Sequence, residues 1–445
     1  MAESQYIKIS QFKWVLYLLA GISFGAMVVM EYDSEFKITM LLPVCYMIAL
    51  LLFVKPSMGD GIGRVGIIVM YAFRMCILPV ICAYGNFWLE PEKSVYINYY
   101  GAGILLNCLE CIIVFAAMFC FYQYYRGRLP RKRLPGKKNL VVKTLIIVSL
   151  AIITCLFILN PDLTANYRLL TAEEDGLSVY DTVTHLHDIG FMYYLLLLID
   201  VIVRPILSFL ATDYFLKKDR KMGVFAVGIF NVLIVTDRRI LSLLIGGCCL
   251  VQLLPYIKQG ISKKIFCAMI GIVGVLTVVF CFYGTTEPYL IARKFQRYFS
   301  GPTLTAVGIV INQNFTQGPI VFLKRLFNDS IILTGLFQTF ELPEYTSLLK
   351  GGYGLWTPMM IGSIQYFGIL APIAIIIIVW FVAKCDYIAM ISESGLYKLM
   401  MNYLSVSVAV YMVMYSVDLI FYTILFFGGF YRILMWLDRK IVRKR

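Results

Sequence analysis

Charged residues are scarce in this chain. Only 15% of its 445 residues are Asp, Glu, Lys or Arg, while 60% are hydrophobic, and the mean hydropathy is +0.80. A water-soluble core cannot enclose that much apolar surface, so the composition excludes a soluble globular protein. It predicts a polytopic membrane protein whose main solvent is lipid.

Histidine is almost absent, with two residues in the whole chain, and none of the twelve cysteines stands in a predicted outer connection. That distribution excludes a disulfide framework outside the cell. The cysteines are interpreted as small apolar filler. We therefore predict no metal site and no cofactor.

Apolar segments long enough to cross about 30 Å of hydrocarbon recur about a dozen times. Backbone groups have no water to bond in lipid, so each segment is predicted to be a helix. The fold class is thus an all-α polytopic membrane domain over residues 1–445. The predicted spans are residues 13–30, 36–54, 65–85, 101–124, 144–160, 190–216, 222–236, 240–257, 265–284, 358–383, 399–416 and 418–436.

Basic residues are concentrated in alternate connections. They crowd residues 126–143, 217–221 and 439–445, whereas residues 31–35 and 160–190 are rich in acids. The positive-inside rule then places the basic connections and both termini in the cytoplasm. The net charge of +14 follows from this bias and from attraction to anionic lipids, so we infer no nucleic-acid binding.

Two predicted outer connections are long, at residues 160–190 and 285–357. The second contains stretches at 304–311 and 320–340 that mix aliphatic and charged residues, and we predict amphipathic helices on the membrane surface. Membrane enzymes that act outside the cytoplasm keep their chemistry in such connections. A channel or carrier rarely needs them.

Four charged residues fall inside predicted spans, where an unpaired charge costs about 3 kcal/mol on insertion scales. Arg74 and Glu110 lie at similar depth in antiparallel spans and can pair directly. Asp200 and Arg204 are one turn apart and can pair within their own helix. These pairs either fix helix packing, or Arg74 or Arg204 lines a polar cavity that opens to the outer face.

Arginines also gather at the predicted outer face. Arg238 and Arg239 stand in a short turn between two spans, and Arg293 and Arg297 are spaced i, i+4 after a third. A guanidinium is always charged, and its planar fork matches phosphate oxygens. The four side chains can therefore clamp a diphosphate at headgroup depth; the alternative is contact with lipid phosphates or nearby acids.

These features resemble the oligosaccharide repeat unit polymerases, the Wzy-type O-antigen and capsule polymerase family. The likeness rests on the dozen spans, the two long outer connections, the turn at 236–241 and the string at 293–302. It implies a helical architecture like that of O-antigen ligases. It also implies a bacterial inner-membrane enzyme that joins undecaprenyl-diphosphate-linked repeat units at the outer face, without a metal, and works beside a flippase and a chain-length-regulating co-polymerase.

Transfer to a sugar hydroxyl requires a general base within hydrogen-bond reach. The two histidines, His185 and His187, precede Asp188 in the first long connection, so either can serve as the base with the carboxylate orienting it. Arg168 in the same connection can bind diphosphate or an acidic sugar, and Tyr298 can stack on a sugar. The alternative role of these residues is to anchor the connections at the membrane interface.

Three other classes fit parts of the pattern. An O-antigen ligase-like transferase differs only in its acceptor. A metal-dependent transferase needs acidic ligands in the first outer connection, but residues 31–35 are too few to build a sugar site. A lipid-linked oligosaccharide flippase or carrier would have short outer connections and more charge in its central spans.

Overall fold

A computed structural model describes most of the predicted spans. It covers residues 13–55, 61–85, 93–126, 140–167, 190–233, 239–253, 292, 295, 305–306, 308–309, 318–328, 358–392, 394–414 and 417–443. All regular elements within these ranges are helices. Eight of the described helical segments are long and apolar enough to span a membrane, and two shorter apolar helices accompany them. The chain is an all-α membrane-embedded protein, while the dozen spans and their orientation remain predictions.

The first half of the chain follows the predicted spans closely. A 3-10 turn leads into the second helix, and a π-helical turn at Phe73–Ile77 joins the third to the fourth. The helices are α1 (Lys13–Val29), α2 (Leu41–Phe53), α3 (Ile62–Ala72), α4 (Leu78–Tyr84), α5 (Lys93–Arg126), α6 (Leu140–Leu159), α7 (Phe191–Lys217), α8 (Lys221–Leu233) and α9 (Arg239–Val251). The predicted span at 265–284 lies outside the described residues.

The second half contains α10 (Gly318–Asn328), α11 (Met359–Phe367), α12 (Ala371–Ile391), α13 (Gly395–Met414), α14 (Val417–Tyr422) and α15 (Gly428–Arg443). The predicted span at 358–383 is therefore two helices. Gly368 ends α11 with φ 55°, a left-handed conformation that glycine adopts without a steric penalty. Nine residues make α11 about 13 Å long, too short to cross the hydrocarbon alone.

Four helices form the centre of the bundle. α12 packs on α13, α5 and α3, and α13 also packs on α3, while α2 lies against α5. A second group, α7, α8 and α9, packs against α13. Large apolar side chains cover the outside, including Ile158 at 74% and Ile369 at 94% exposure. Such a surface is unfavourable in water and is typical of a protein surrounded by lipid.

Asp386 joins two distant parts of the chain by capping a helix that is not its own. Its carboxylate accepts hydrogen bonds from the backbone N–H of Gly63 at 3.0 Å and of Arg64 at 3.1 Å, in the first turn of α3. Ser405 donates to it at 2.5 Å, and the Tyr122 hydroxyl donates as well. Four donors and the positive end of the helix dipole thus stabilise one buried carboxylate.

Asp438 plays the same part for another helix. Its carboxylate accepts from the backbone N–H of Val141, at the start of α6, and from the Tyr397 hydroxyl. With Asp386, these contacts gather the starts of α3, α6 and α13 and the ends of α5, α12 and α15 towards one end of the bundle. That grouping agrees with the predicted alternation of the spans, and the compartment it faces stays a prediction.

We predict that Gly63→Ala destabilises the protein. A Cβ at Gly63 would lie 1.7 Å from Ser405 Oγ and 2.6 Å from a Val382 methyl group, and overpacking of this kind costs about 1–3 kcal/mol. Gly25→Ala is the matched control, because a Cβ there meets nothing within 4 Å. Thermal unfolding in detergent measures both variants, and an equal melting temperature in the two would contradict the described packing of α3 on α13.

Candidate functional site

Arg74 and Glu110 meet inside the bundle, as the sequence predicts. Arg74 Nη1 lies 2.6 Å from Glu110 Oε1, and the two side chains are 2% and 0% exposed. Arg74 stands in the π-helical turn between α3 and α4, a distortion that is frequent at functional sites. The predicted ion pair is confirmed, and its surroundings bear on whether it serves packing or function.

Both oxygens of Glu110 are engaged. Oε1 also accepts from the Tyr71 hydroxyl at 2.7 Å, and Oε2 accepts from the backbone N–H of Met360 at 2.9 Å. Met360 is in the first turn of α11, so Glu110 caps a helix that begins inside the protein. The carboxylate is thereby balanced by a guanidinium, a hydroxyl and a helix dipole, which offset the cost of its burial.

Asn107 extends the network by one helical turn. Its Oδ1 accepts from Arg74 Nη2 at 2.5 Å and from Thr305 Oγ1 at 3.1 Å. Because a guanidinium can only donate, the oxygen of the amide must face Arg74 and the Nδ2 group must point elsewhere. We call Tyr71, Arg74, Asn107, Glu110 and Thr305 the polar centre.

Two donors of the polar centre are left over. Among the described residues, neither Arg74 Nε nor Asn107 Nδ2 has a hydrogen-bond acceptor, although both atoms are buried. Unsatisfied buried donors are rare in folded proteins, since each costs about 1–3 kcal/mol. Donors without acceptors suit a ligand rich in oxygen acceptors, such as a phosphate or a sugar.

Part of the second long connection packs onto the polar centre. The Phe295 ring stacks on Phe73, the neighbour of Arg74, with centroids 5.6 Å apart. Further along, a Cβ at Gly103 would lie 3.0 Å from the backbone nitrogen of Ala306. Thr305 and Ala306 are fully buried, so this helical turn lies inside the bundle and not on the membrane surface as predicted.

The described part of the other predicted amphipathic stretch is α10. It presents Ile320 and Leu323 outward and packs Phe322 on Tyr366 and Phe421, with ring centroids 5.4 Å apart in both pairs. α10 thus covers α11, the helix whose first turn Glu110 caps. Residues 329–340, where the predicted stretch continues, lie outside the described residues.

Arg204 occupies a separate place, in the group formed by α7, α8 and α9. Its Nη2 donates to the Asn231 carbonyl at 3.1 Å and to Ser242 Oγ at 2.6 Å. These bonds tie α7 to both of its neighbours, which favours the packing role among the two considered for this residue. Arg204 has no described contact with the polar centre.

The remaining predicted site residues fall where the structure gives no side chain. Arg239 is the first residue of α9, and its side chain is outside the described part. The others lie wholly outside the described residues: His185, His187, Asp188, Arg168, Arg238, Arg293, Arg297 and Tyr298. Their roles stay predictions.

Sequence reasoning missed Tyr71 and Asn107, although a signal was present. Tyr71 and Arg74 are spaced i, i+3, as are Asn107 and Glu110, so each polar pair shares a face of its helix. The contributions of Thr305 and of the Met360 backbone carried no such signal. They depend on how residues far apart in the chain pack together.

Cysteines lie on α5, which carries Asn107 and Glu110, and on the neighbouring α2. Cys45 on α2 donates to the Cys108 carbonyl at 3.6 Å, and Cys108 and Cys111 have a C-x-x-C spacing on α5. All three are free thiols. Within the described part of the chain, no group of three His, Cys, Asp or Glu side chains is arranged to hold a metal ion.

Comparisons with known proteins add no relative. No protein-family model, no curated protein and no solved structure matches the chain. Fold and site together define the class of the protein as a helical membrane protein with a hydrogen-bonded ion pair buried in its bundle.

A double-mutant cycle tests the ion pair. We expect Arg74→Met and Glu110→Gln each to cost about 3–5 kcal/mol, because each leaves the partner's charge buried and uncompensated. The double variant should cost clearly less than the sum of the two, since it buries no charge. Thermal or denaturant unfolding measures the cycle, and strictly additive effects would show that the two charges do not interact.

Proposed function

We propose that this protein is a polysaccharide polymerase of the bacterial cytoplasmic membrane. It transfers a glycan from undecaprenyl diphosphate to a lipid-linked repeat unit at the outer face and releases the lipid diphosphate. In this proposal, two lipid-linked oligosaccharides are its substrates, membrane lipids surround it, and a flippase and a co-polymerase are its partners.

One observation carries most of the proposal: Arg74 Nε and Asn107 Nδ2 are buried donors without described acceptors, beside a segment of the second long connection. Arg293 and Arg297 each stand two residues from Phe295, which stacks on Phe73. Two residues of chain span about 7 Å at most. In this proposal, the guanidinium groups of Arg293 and Arg297 therefore join the region around Arg74.

Such an arrangement suits the departure of a diphosphate. The hydroxyl oxygen of the acceptor attacks the anomeric carbon of the donor, the bond from that carbon to the diphosphate oxygen breaks, and the hydroxyl proton passes to a base. Negative charge grows on the leaving diphosphate. Arginines held in place in a site with little water stabilise that charge and require no metal.

The base in this proposal is His187 or His185, oriented by Asp188. Arg238, Arg239 and Arg168 complete the set of outer-face cations around the diphosphate, and Tyr298 stacks on a sugar. An imidazole accepts a proton readily near neutral pH, which suits a base that must recover in each cycle.

Two alternative functions share the polar centre. A lipid-linked glycan transferase related to the O-antigen ligases would use the same donor and differ in its acceptor. A carrier of lipid-linked oligosaccharides is favoured by one observation, the number of charged side chains buried in the bundle, among them Arg64, Arg74 and Asp386. However, Arg74 is held by an ion pair and Asp386 by four donors, which suits fixed joints better than a moving pathway.

We predict that Arg293→Ala abolishes polymer formation while single repeat units still accumulate, and that Arg239→Ala does the same. Removing a guanidinium that stabilises developing charge typically lowers turnover by about 10²–10³-fold. Purified protein in liposomes with lipid-linked repeats provides the assay. Chain extension with release of lipid diphosphate marks a polymerase, transfer to another acceptor a ligase, and movement across the bilayer alone a carrier.

Lys294→Ala is the matched control, because Lys294 is adjacent in sequence but is not part of the i, i+4 pair that Arg293 and Arg297 are predicted to form on one helix face. It should retain polymer formation. In the same assay the neutral Arg74→Met/Glu110→Gln variant should fold but not extend chains. Normal polymer from that variant would show that the polar centre only stabilises helix packing. Normal polymer from both Arg293→Ala and Arg239→Ala would refute the diphosphate clamp.

The histidines are tested separately. We expect His187→Ala to slow transfer by about 10²-fold or more while leaving the affinity for the lipid-linked donor within about threefold, because a base acts on the hydroxyl and does not hold the diphosphate. Single-turnover rates and donor binding measure the two effects. Full turnover in a His185→Ala/His187→Ala double variant would exclude both residues as the base.

A further inference from the structure

Three of the cation–aromatic contacts near one end of the bundle involve cations of α12 and α15. Lys384 Nζ lies 4.4 Å from the centre of the Trp380 ring, and Lys440 Nζ lies 4.8 Å from that of Trp436. The Arg432 guanidinium lies 5.8 Å from the centre of the Phe381 ring. All three cations are on α12 or α15, two helices that the proposed reaction does not use.

The spacing places these groups on adjoining faces of the two helices. Trp380 and Lys384 are one turn apart on α12, while Arg432, Trp436 and Lys440 follow one another at intervals of four residues on α15. Gly428 lets α15 approach α12, since a Cβ there would lie 2.8 Å from the Phe381 ring. The contact of Arg432 with Phe381 then brings its charge within electrostatic reach of Lys384.

No described carboxylate neutralises these cations. Ion pairs among the described residues include Arg74 with Glu110, Lys217 with Asp213 and Lys221 with Asp219, and none of these involves Lys384, Arg432 or Lys440. The nearest acids in the sequence, Asp386 and Asp438, are buried and already hold helix N–H groups and tyrosine hydroxyls. Two neighbouring positive charges without a counter-charge favour an external anion.

The surroundings of these cations are apolar and face outward. Ile377 is 42% exposed and Ile433 57% exposed on the same two helices. A small soluble anion would have to sit against this apolar surface and leave its own hydration shell. An amphiphile meets both requirements, because its anionic head meets the cations while its acyl chains cover the isoleucines.

We infer that the cation–aromatic face, formed by Trp380, Lys384, Arg432, Trp436 and Lys440, binds an anionic phospholipid. The lysine and arginine groups donate to the phosphate oxygens, and the tryptophan rings lie at the level where headgroups meet acyl chains. The site belongs to the leaflet at the end of the bundle where Asp386 and Asp438 cap their helices, opposite to the face proposed for catalysis.

The two tryptophans report directly on the lipid that occupies this face. A variant with Trp14, Trp88 and Trp356 changed to Phe keeps only Trp380 and Trp436. It is placed in vesicles of phosphatidylglycerol and phosphatidylcholine in which one lipid or the other is brominated, because a bromine quenches only a tryptophan in contact. We expect phosphatidylglycerol to be preferred by about fivefold or more, the factor that one basic residue near an anionic surface contributes.

Lys384→Gln/Arg432→Gln should bring that preference close to one, whereas Lys384→Arg should keep it. Lys218→Gln/Arg220→Gln is the control with the same loss of charge. Both residues are exposed between α7 and α8, and neither cation lies over an aromatic ring of the described residues. The lipid preference of this variant should stay unchanged. If the first double variant does not fold, Lys440→Gln serves in its place, with a partial loss expected. Equal quenching by the two lipids would overturn the inference. So would an equal loss of preference in the Lys384→Gln/Arg432→Gln variant and in the Lys218→Gln/Arg220→Gln control.

Discussion

Helix N-termini inside a membrane protein must find hydrogen-bond acceptors within the protein, because lipid offers none. The structure meets this requirement with carboxylates from distant parts of the chain. Asp386 caps α3, Asp438 caps α6 and Glu110 caps α11. Each contact also offsets the cost of burying the carboxylate, because the helix dipole and its N–H groups stabilise a negative charge that is removed from water. The relative positions of the central helices depend on these joints.

The polar centre follows from the same constraint. Glu110 must be balanced by positive charge, and Arg74 supplies it from the facing helix, but a guanidinium has more donors than one carboxylate and one amide can satisfy. The excess remains as Arg74 Nε, and the amide nitrogen of Asn107 is a second buried donor without a described acceptor. A joint between helices thereby leaves hydrogen-bonding capacity that a phosphate or a sugar can use.

Hydrophobicity and charge together predicted much of the fold, because both are properties of individual residues and can be read directly from the sequence. The described helices up to α9 lie at the positions of predicted apolar runs, and the pairing of Arg74 with Glu110 followed from their similar depth and the cost of a lone charge in lipid. The division of the predicted span at 358–383 was not predicted, because the segment has a high hydropathy and hydropathy does not reveal the left-handed conformation of Gly368, where α11 ends. Chemistry was harder to predict, and most of the predicted site residues stand in connections outside the described part.

By itself, the sequence determined that the chain is a bundle of lipid-embedded helices, which charges must be paired inside it, and where its long connections occur. These properties follow from composition and spacing, and they hold whichever helices become neighbours. Only the tertiary structure decided that Glu110 caps the first turn of α11, that Thr305 donates to Asn107, and that Lys384 and Arg432 lie on one face. Those contacts join residues that are 48 to 250 positions apart in the chain, and their geometry depends on how the helices pack.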